Sequence, residues 1–167
     1  MPDAMTPEQR SLNMAAIKGK DTKPEMIVRK YLFSKGLRFR VHVKKLAGSP
    51  DIVLPKYKTI IFVNGCFWHG HDGCEYSRLP KSNEFFWEQK INTNKARDIA
   101  NEYVLQTLGW KVMHIWECEI KKVKDREKIL ESIYRKIVST SSPYQTEELP
   151  LITAAEPSAT YGNDSKI

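Results

Sequence analysis

The sequence contains few cysteines. Only three occur among its 167 residues, at Cys66, Cys74 and Cys118. An odd number excludes a framework in which every cysteine is paired in a disulfide, and two of the three lie close together among histidines. Disulfides persist mainly in oxidising compartments. We therefore expect a protein of the reducing cytoplasm whose cysteines serve as metal ligands.

Long apolar runs are absent as well. The sequence has no stretch of about 18 apolar residues, which is the length that a membrane-spanning helix needs. Its first ten residues, MPDAMTPEQR, lack the apolar core of a secretory signal peptide. We expect neither a membrane protein nor an exported one.

Basic residues outnumber acidic residues outside the C-terminal end. The net charge is +7, but residues 140–167 hold four acidic residues and one lysine and so carry −3, which leaves +10 for residues 1–139. Such a basic body favours a polyanionic partner, because contacts with phosphates release condensed counterions. The alternative reading is a basic surface that only keeps the protein in solution.

The chain divides into three predicted parts. Residues 1–21 read as an N-terminal arm with a short helix that contacts DNA, and residues 22–139 read as one folded domain. Residues 140–167 are acidic with sparse apolar residues, and we expect them to be disordered.

Local patterns predict a mixed α/β fold for the folded domain. The capping-box sequence Thr22-Lys23-Pro24-Glu25 begins a helix that Gly36 ends. Alternating and continuous apolar runs predict strands at 37–43, 51–54, 59–63 and 110–116, and helical periodicity predicts helices at 84–108 and 125–138. This order indicates a mixed central β-sheet flanked by helices.

A glycine-rich loop at residues 64–74 concentrates potential metal ligands. Cys66, His71 and Cys74 fall within nine positions, and Cys118 follows a predicted strand. Four nitrogen and sulfur ligands suit tetrahedral Zn²⁺, and a set of three cysteines and one histidine leaves no open position, so the site would be structural. The alternative is three buried cysteines beside exposed histidines.

Asp51 is a candidate ligand for a second metal. It follows a Gly-Ser-Pro turn and begins a short predicted strand. Carboxylate oxygens suit Mg²⁺, which in phosphodiester cleavage polarises the phosphate and helps to generate the nucleophile from water. The alternative is an aspartate that only caps the turn.

Several short motifs between Arg10 and Cys118 match one family. They include the sequences Gly48-x-Pro50-Asp51, Gly65-Cys66-Phe67-Trp68-His69-x-His71, Arg97-Asp98 and Trp116-Glu117-Cys118, with Trp87 and Asn94 between them. Together they resemble the very-short-patch-repair mismatch endonucleases. The resemblance implies a fold related to the type II restriction endonucleases.

The resemblance also implies a function. Such enzymes nick double-stranded DNA on the 5′ side of the T in a T:G mismatch that arises when 5-methylcytosine is deaminated. It implies a bacterial, cytoplasmic enzyme, which we expect to be a monomer, with Mg²⁺ for catalysis and structural Zn²⁺. A mismatch-repair protein and a DNA polymerase are the partners expected by analogy.

The resemblance assigns roles to individual residues. Asp51 would bind Mg²⁺ directly, and Val63 would contribute its backbone carbonyl. His69 would be the general base, oriented by Asp98. Glu25 would lie at the edge of the metal's water shell, in addition to or instead of its place in the capping box.

Position 64 departs from the family pattern. Relatives often carry a histidine there, which helps to organise the metal-bound water or the phosphate, whereas this sequence has Asn64. Asparagine can form hydrogen bonds but cannot carry a proton or charge at neutral pH. The substitution leaves the metal site intact and affects the expected rate or substrate preference.

Aromatic and basic residues form the expected DNA contacts. Phe67, Trp68 and Trp87 would wedge into the duplex beside the mismatch, where bases are already poorly stacked. The alternative is that these rings belong to the core. The N-terminal arm would lie along the DNA through Arg10, Lys18 and Lys20.

Two other functions fit the sequence. One is a sequence-specific nicking or restriction endonuclease of the same fold without a mismatch preference. The other is a zinc-stabilised DNA-binding protein without catalysis, which would have no need of Asp51, His69 and Asp98 but is favoured by Asn64.

Overall fold

The computed structural model describes residues 6–139; residues 1–5 and the predicted acidic tail at 140–167 lie outside the described residues. In this range the chain forms five helices and three strands. In chain order they are α1 (Pro7–Ala15), α2 (Lys23–Ser34), β1 (Ile52–Leu54), β2 (Thr59–Asn64), α3 (Glu84–Thr107), β3 (Lys111–Trp116), α4 (Glu117–Lys121) and α5 (Val123–Val138).

The three strands form one mixed sheet in the order β1-β2-β3. Strand β2 is central and apolar, pairing antiparallel with β1, where Ile52 faces Ile61, and parallel with β3, where Asn64 faces Trp116. The mixed sheet expected from the sequence is confirmed. Because β2 and β3 run in the same direction, the segments that follow Asn64 and Trp116 leave the same edge of the sheet.

Alternate residues of β2 face opposite sides of the sheet, as the pleat requires. Ile61 and Val63 pack with α2, α4 and α5 in the larger apolar cluster. Ile60 and Phe62 pack in a smaller cluster with Leu105 of α3. Helix α3 therefore covers the sheet face that also carries Asn64, two residues beyond Phe62.

Helix α2 begins at the predicted capping box. The Thr22 side chain accepts a hydrogen bond from the Glu25 backbone N–H, and the Glu25 side chain accepts one from the Thr22 N–H. Gly36 follows the helix with a φ of +81°, a conformation that favours glycine. No helix within residues 6–139 has both the length and the apolar character needed to cross a bilayer.

The predicted strand at 37–43 is wrong. The segment makes only an isolated bridge, in which Arg40 and Val53 exchange two backbone hydrogen bonds of 2.8 Å. His42 has a φ of +47°, and this left-handed backbone ends the extended conformation. The alternation of apolar and polar residues in this segment therefore reflects a half-buried irregular chain.

Helix α4 was not predicted from the sequence. It spans five residues directly after β3 and carries Cys118. The Trp116 backbone N–H donates to the Glu119 carboxylate at 2.8 Å, which fixes the start of this short helix. The sharp change from strand to helix brings Cys118 back toward the loop that follows β2.

Candidate active site

Asp51 lies where the pairing of β1 and β2 stops. Continuing the register of these strands places Pro50 opposite Val63, and proline has no N–H to donate to the Val63 carbonyl, so the ladder stops there. The Val63 backbone N–H donates to the Asp51 carboxylate, at 2.7 Å. Burial raises the pKa of Asp51 to about 6, although the Val63 N–H opposes the rise; the nearby Glu25 charge adds to it.

Glu25 is buried behind Asp51 and fully engaged. One carboxylate oxygen accepts from the N–H and hydroxyl of Thr22 at 3.3 and 3.0 Å. The other accepts from the Asp21 N–H at 3.1 Å and from the Arg29 guanidinium at 2.7 Å. The capping box is therefore present, and Glu25 still lines the cavity that Asp51 faces.

Two residues without a predicted role, Arg29 and His42, lie beside Glu25 and Asp51. Arg29 contacts Asp21 at 2.5 Å and the His42 Nε2 atom at 2.8 Å. Because a guanidinium only donates, His42 Nε2 accepts, and the ring proton lies on Nδ1, 3.8 Å from Asp51. The guanidinium thus takes the place that a metal ion could have among Asp21, Glu25 and His42.

His69 and Asp98 form a second group of side chains. His69 Nδ1 lies 2.5 Å from the Asp98 carboxylate on α3. A carboxylate accepts, so Nδ1 carries the proton and Nε2 keeps a lone pair with which it can act as a base. Asn94, one turn before Asp98 on α3, donates a 2.9 Å hydrogen bond to the Trp68 carbonyl and holds the loop in place.

Two cavities join these groups, and we call them together the candidate cleft. A cavity of about 430 Å³ is lined by Asp51, Val63, Asn64 and His69, among others. The neighbouring cavity of about 480 Å³ is lined by Asn64, His69 and Asp98, among others. Asn64 and His69 belong to both walls, so the structure brings the predicted metal carboxylate and the predicted base to one cleft.

The predicted zinc ligands also come together. Ligand atoms of Cys66, His71, Cys74 and Cys118 all lie within 4.8 Å of one another. The His71 ring stacks on Trp116 with a centroid distance of 4.0 Å, and its Nδ1 atom lies 3.5 Å from the Cys118 sulfur. This donor set and its spread fit a single tetrahedral ion that would fasten the loop after β2 to α4.

The three predicted wedge residues form an aromatic cluster. Phe67, Trp68 and Trp87 contact one another edge to face, with centroid distances of 5.2, 5.2 and 6.0 Å. They are partly exposed and belong to neither apolar core cluster of the described residues. Phe86, which is 58% exposed, extends the aromatic surface.

The N-terminal arm borders the candidate cleft. Lys18 and Lys20 are exposed and line the cavity that contains Asp51. Arg10 lies in α1, and its side chain lies outside what the structure describes. The two lysines place positive charge beside the carboxylates of Glu25 and Asp51.

Comparisons with known proteins match the chain to one family of DNA endonucleases. The family profile described as DNA mismatch endonuclease Vsr matches residues 2–75. The type II nicking enzyme V.NmeAIP of Neisseria meningitidis serogroup A is 51% identical over 121 residues, which are 72% of this chain and 86% of that protein. The type II nicking enzyme V.XorIIP of Xanthomonas oryzae is 45% identical over 133 residues, 80% of this chain and 97% of that protein. The DNA mismatch endonuclease Vsr of Escherichia coli is 40% identical over 129 residues, 77% of this chain and 80% of that protein.

Proposed function

Because the chain belongs to the Vsr family of DNA endonucleases, we propose that it nicks double-stranded DNA on the 5′ side of the T in T:G mismatches. The observation that carries the proposal is the shared cleft, in which a partly buried carboxylate, Asp51, and a carboxylate-held imidazole, His69, line one cavity. A binding protein without catalysis has no need of this pair.

The acidic side of the cleft fits a divalent metal. Asp51 keeps one carboxylate oxygen free of the Val63 hydrogen bond, and the Val63 carbonyl is the second oxygen that we assign as a ligand. Mg²⁺ held there supplies electrostatic stabilisation to the charge that develops on the scissile phosphate. His42, which Arg29 contacts at Nε2, has its Nδ1 atom 3.8 Å from the Asp51 carboxylate.

His69 is the proton acceptor that we assign. His69 Nε2 takes a proton from the attacking water, and the ring becomes an imidazolium. Asp98, hydrogen-bonded to Nδ1, stabilises that cation and keeps the ring in the productive tautomer. Lys18 and Lys20, which line the cavity that contains Asp51, attract the phosphates of the duplex to the cleft.

The aromatic cluster supports the mismatch preference. We assign Phe67, Trp68 and Trp87 to a wedge that enters the duplex beside the T:G pair. Partial exposure and mutual contacts give these rings an apolar surface that is already assembled before DNA binds. Insertion of a ring costs less at a mismatch because the bases are less well stacked there.

The second candidate function is sequence-specific nicking without a mismatch preference. It is favoured by the names of V.NmeAIP and V.XorIIP, which are called type II nicking enzymes. The cleft described above would serve this reaction equally well.

A nicking assay on matched duplexes separates the two functions. We expect the enzyme to nick the T-containing strand of T:G duplexes with randomised flanks in the presence of Mg²⁺. The corresponding T:A and C:G duplexes should remain intact, as should every duplex when Mg²⁺ is omitted. Equal nicking of paired and mismatched duplexes would instead favour the second candidate, and nicking without a divalent ion would contradict the metal assignment.

We expect the cluster of Cys66, His71, Cys74 and Cys118 to hold a Zn²⁺ ion on which the fold depends. Purified protein should contain about one Zn²⁺ per chain, and Cys118→Ser should lose it and melt at a markedly lower temperature, because metal binding is coupled to folding. Metal analysis and thermal unfolding measure both effects. Lys122→Ser, an exposed substitution four residues further on, is the control. A metal-free protein with unchanged melting would refute the zinc assignment.

A further inference from the structure

A chain of hydrogen bonds connects α3, β3 and β2 at the wall of the candidate cleft. The Glu102 carboxylate lies 3.2 Å from His114 Nε2. The other ring nitrogen of His114, Nδ1, lies 3.1 Å from the Asn64 amide nitrogen. Both Asn64 and His114 line the cavity of about 480 Å³ together with His69. Neither His114 nor Glu102 belongs to a motif that stands out in the sequence.

The arrangement repeats that of the proposed base. Asp98 and Glu102 are four residues apart on α3 and therefore lie on the same helix face. Each contacts one histidine, His69 for Asp98 and His114 for Glu102. The Phe62 ring stacks on His114 at 5.6 Å with an interplanar angle of 14°, which limits rotation of the imidazole. The second histidine and its carboxylate have no role in the function proposed above.

The hydrogen bonds determine which end of the Asn64 amide faces the cleft. A carboxylate only accepts, so His114 Nε2 carries the proton, and in the neutral ring Nδ1 accepts. Only the NH₂ end of the Asn64 amide can donate to Nδ1, so its carbonyl oxygen points away from His114. Without His114 the amide would be free to turn over, because the two ends of an asparagine side chain are almost equal in size.

We propose that His114 and Glu102 are positioning residues for nicking, which orient the Asn64 carbonyl oxygen as a hydrogen-bond acceptor in the cleft. The role rests on the proposed function insofar as the cleft is the site of nicking. An oriented carbonyl can accept a hydrogen bond from the attacking water, which the NH₂ end cannot do. In this way the relay of Glu102, His114 and Asn64 gives the cleft a hydrogen-bond acceptor of fixed orientation.

His114→Leu tests the relay, because leucine fills the site without either ring nitrogen. We expect the single-turnover nicking rate to fall by about tenfold, as befits one lost orienting hydrogen bond, while the affinity for the duplex stays the same. Glu102→Gln should retain more activity than Glu102→Leu, because the glutamine oxygen can still accept from His114 Nε2. Val112→Ala, on the same face of β3, is the control for loss of packing and should nick at the normal rate below its melting temperature.

A rescue experiment separates positioning from packing. Asn64→His combined with His114→Leu should nick faster than His114→Leu alone, because a histidine at position 64 needs no amide orientation. If His114 only supports the fold, Asn64→His will not restore the rate. Nicking by His114→Leu at the normal rate would overturn the proposal outright.

The tautomer of His114 gives a readout that does not depend on activity. Nitrogen-15 NMR of the intact, metal-loaded protein should show His114 protonated at Nε2 and not at Nδ1, and Glu102→Leu should lose this preference. A His114 ring protonated at Nδ1 alone in the wild type would overturn the relay. If the wild type fails to nick T:G duplexes, the proposed function fails, whereas the relay is still tested by this tautomer and by the same variants on whichever duplex the wild type does cut.

Discussion

Asp51→Asn is expected to abolish nicking and at the same time to stabilise the folded protein. A neutral amide is a much weaker ligand for Mg²⁺ than a carboxylate, so added Mg²⁺ should not restore the rate. The fold should not suffer, because the asparagine oxygen can still accept the 2.7 Å hydrogen bond from the Val63 N–H. Duplex binding should persist or become tighter, since a negative charge near the phosphates is removed.

The gain in stability follows from the pKa of Asp51. Burial raises this pKa from 3.8 to about 6, so the folded protein holds the proton more tightly than the unfolded chain. Stability therefore falls as the pH rises from about 4 to about 6. At neutral pH the partly buried carboxylate costs up to about 3 kcal/mol, since each pKa unit corresponds to roughly 1.4 kcal/mol. Asparagine has no such charge and avoids this cost.

Unfolding by urea without added Mg²⁺ measures the effect. The difference in unfolding free energy between Asp51→Asn and the wild type should be positive at pH 8 and shrink toward pH 4. Asp125→Asn, an exposed substitution in α5, should show neither the stabilisation nor the loss of nicking. Normal nicking by Asp51→Asn would place the metal elsewhere, and destabilisation at pH 8 would mean that burial of the charge is not the dominant effect.

Local sequence patterns predicted most of the helices and strands correctly. The capping box of α2, the continuous apolar run of β2 and the long periodic stretch of α3 depend on neighbouring residues, and all three appear as predicted. The segment 37–43 failed because its conformation depends on distant contacts. His42 has a left-handed backbone and lies close to Arg29 and Asp51. The alternation of apolar and polar residues within seven positions does not reveal these contacts.

The sequence likewise predicted only part of the candidate site. Asp51 and the Cys66–Cys74 loop stood out by residue type and spacing, whereas His69 and Asp98 came from resemblance to a family, because 29 residues separate the two partners. His114 looked like an ordinary residue of an apolar strand. His114 comes to lie beside Asn64 because β3 pairs parallel to β2, and it contacts Glu102 because α3 packs on the same face of the sheet.

His69→Ala is expected to slow nicking while leaving the metal site intact. General-base catalysis typically contributes 10²–10⁴-fold to a rate, so the single-turnover rate should fall by roughly that factor. Mg²⁺ binding and duplex binding should both remain, because the side-chain partner of His69 is Asp98, whereas that of Asp51 is the Val63 N–H. Asp98→Asn should cause a smaller loss, since the imidazole is still present but less well oriented and its cation less well stabilised.

The pH dependence of nicking by His69→Ala shows whether His69 acts as a base or as a metal ligand. At limiting Mg²⁺ the wild-type rate should rise with pH through about 6, because a protonated Asp51 cannot bind the ion, and this limb should move to lower pH as Mg²⁺ is increased. His69→Ala should keep this Mg²⁺-dependent limb at its lower rate, because the limb belongs to Asp51. If His69→Ala loses Mg²⁺ binding, His69 acts on the metal side of the cleft. If it nicks at the normal rate while Asp51→Asn is inactive, the cleft is correct and another group accepts the proton.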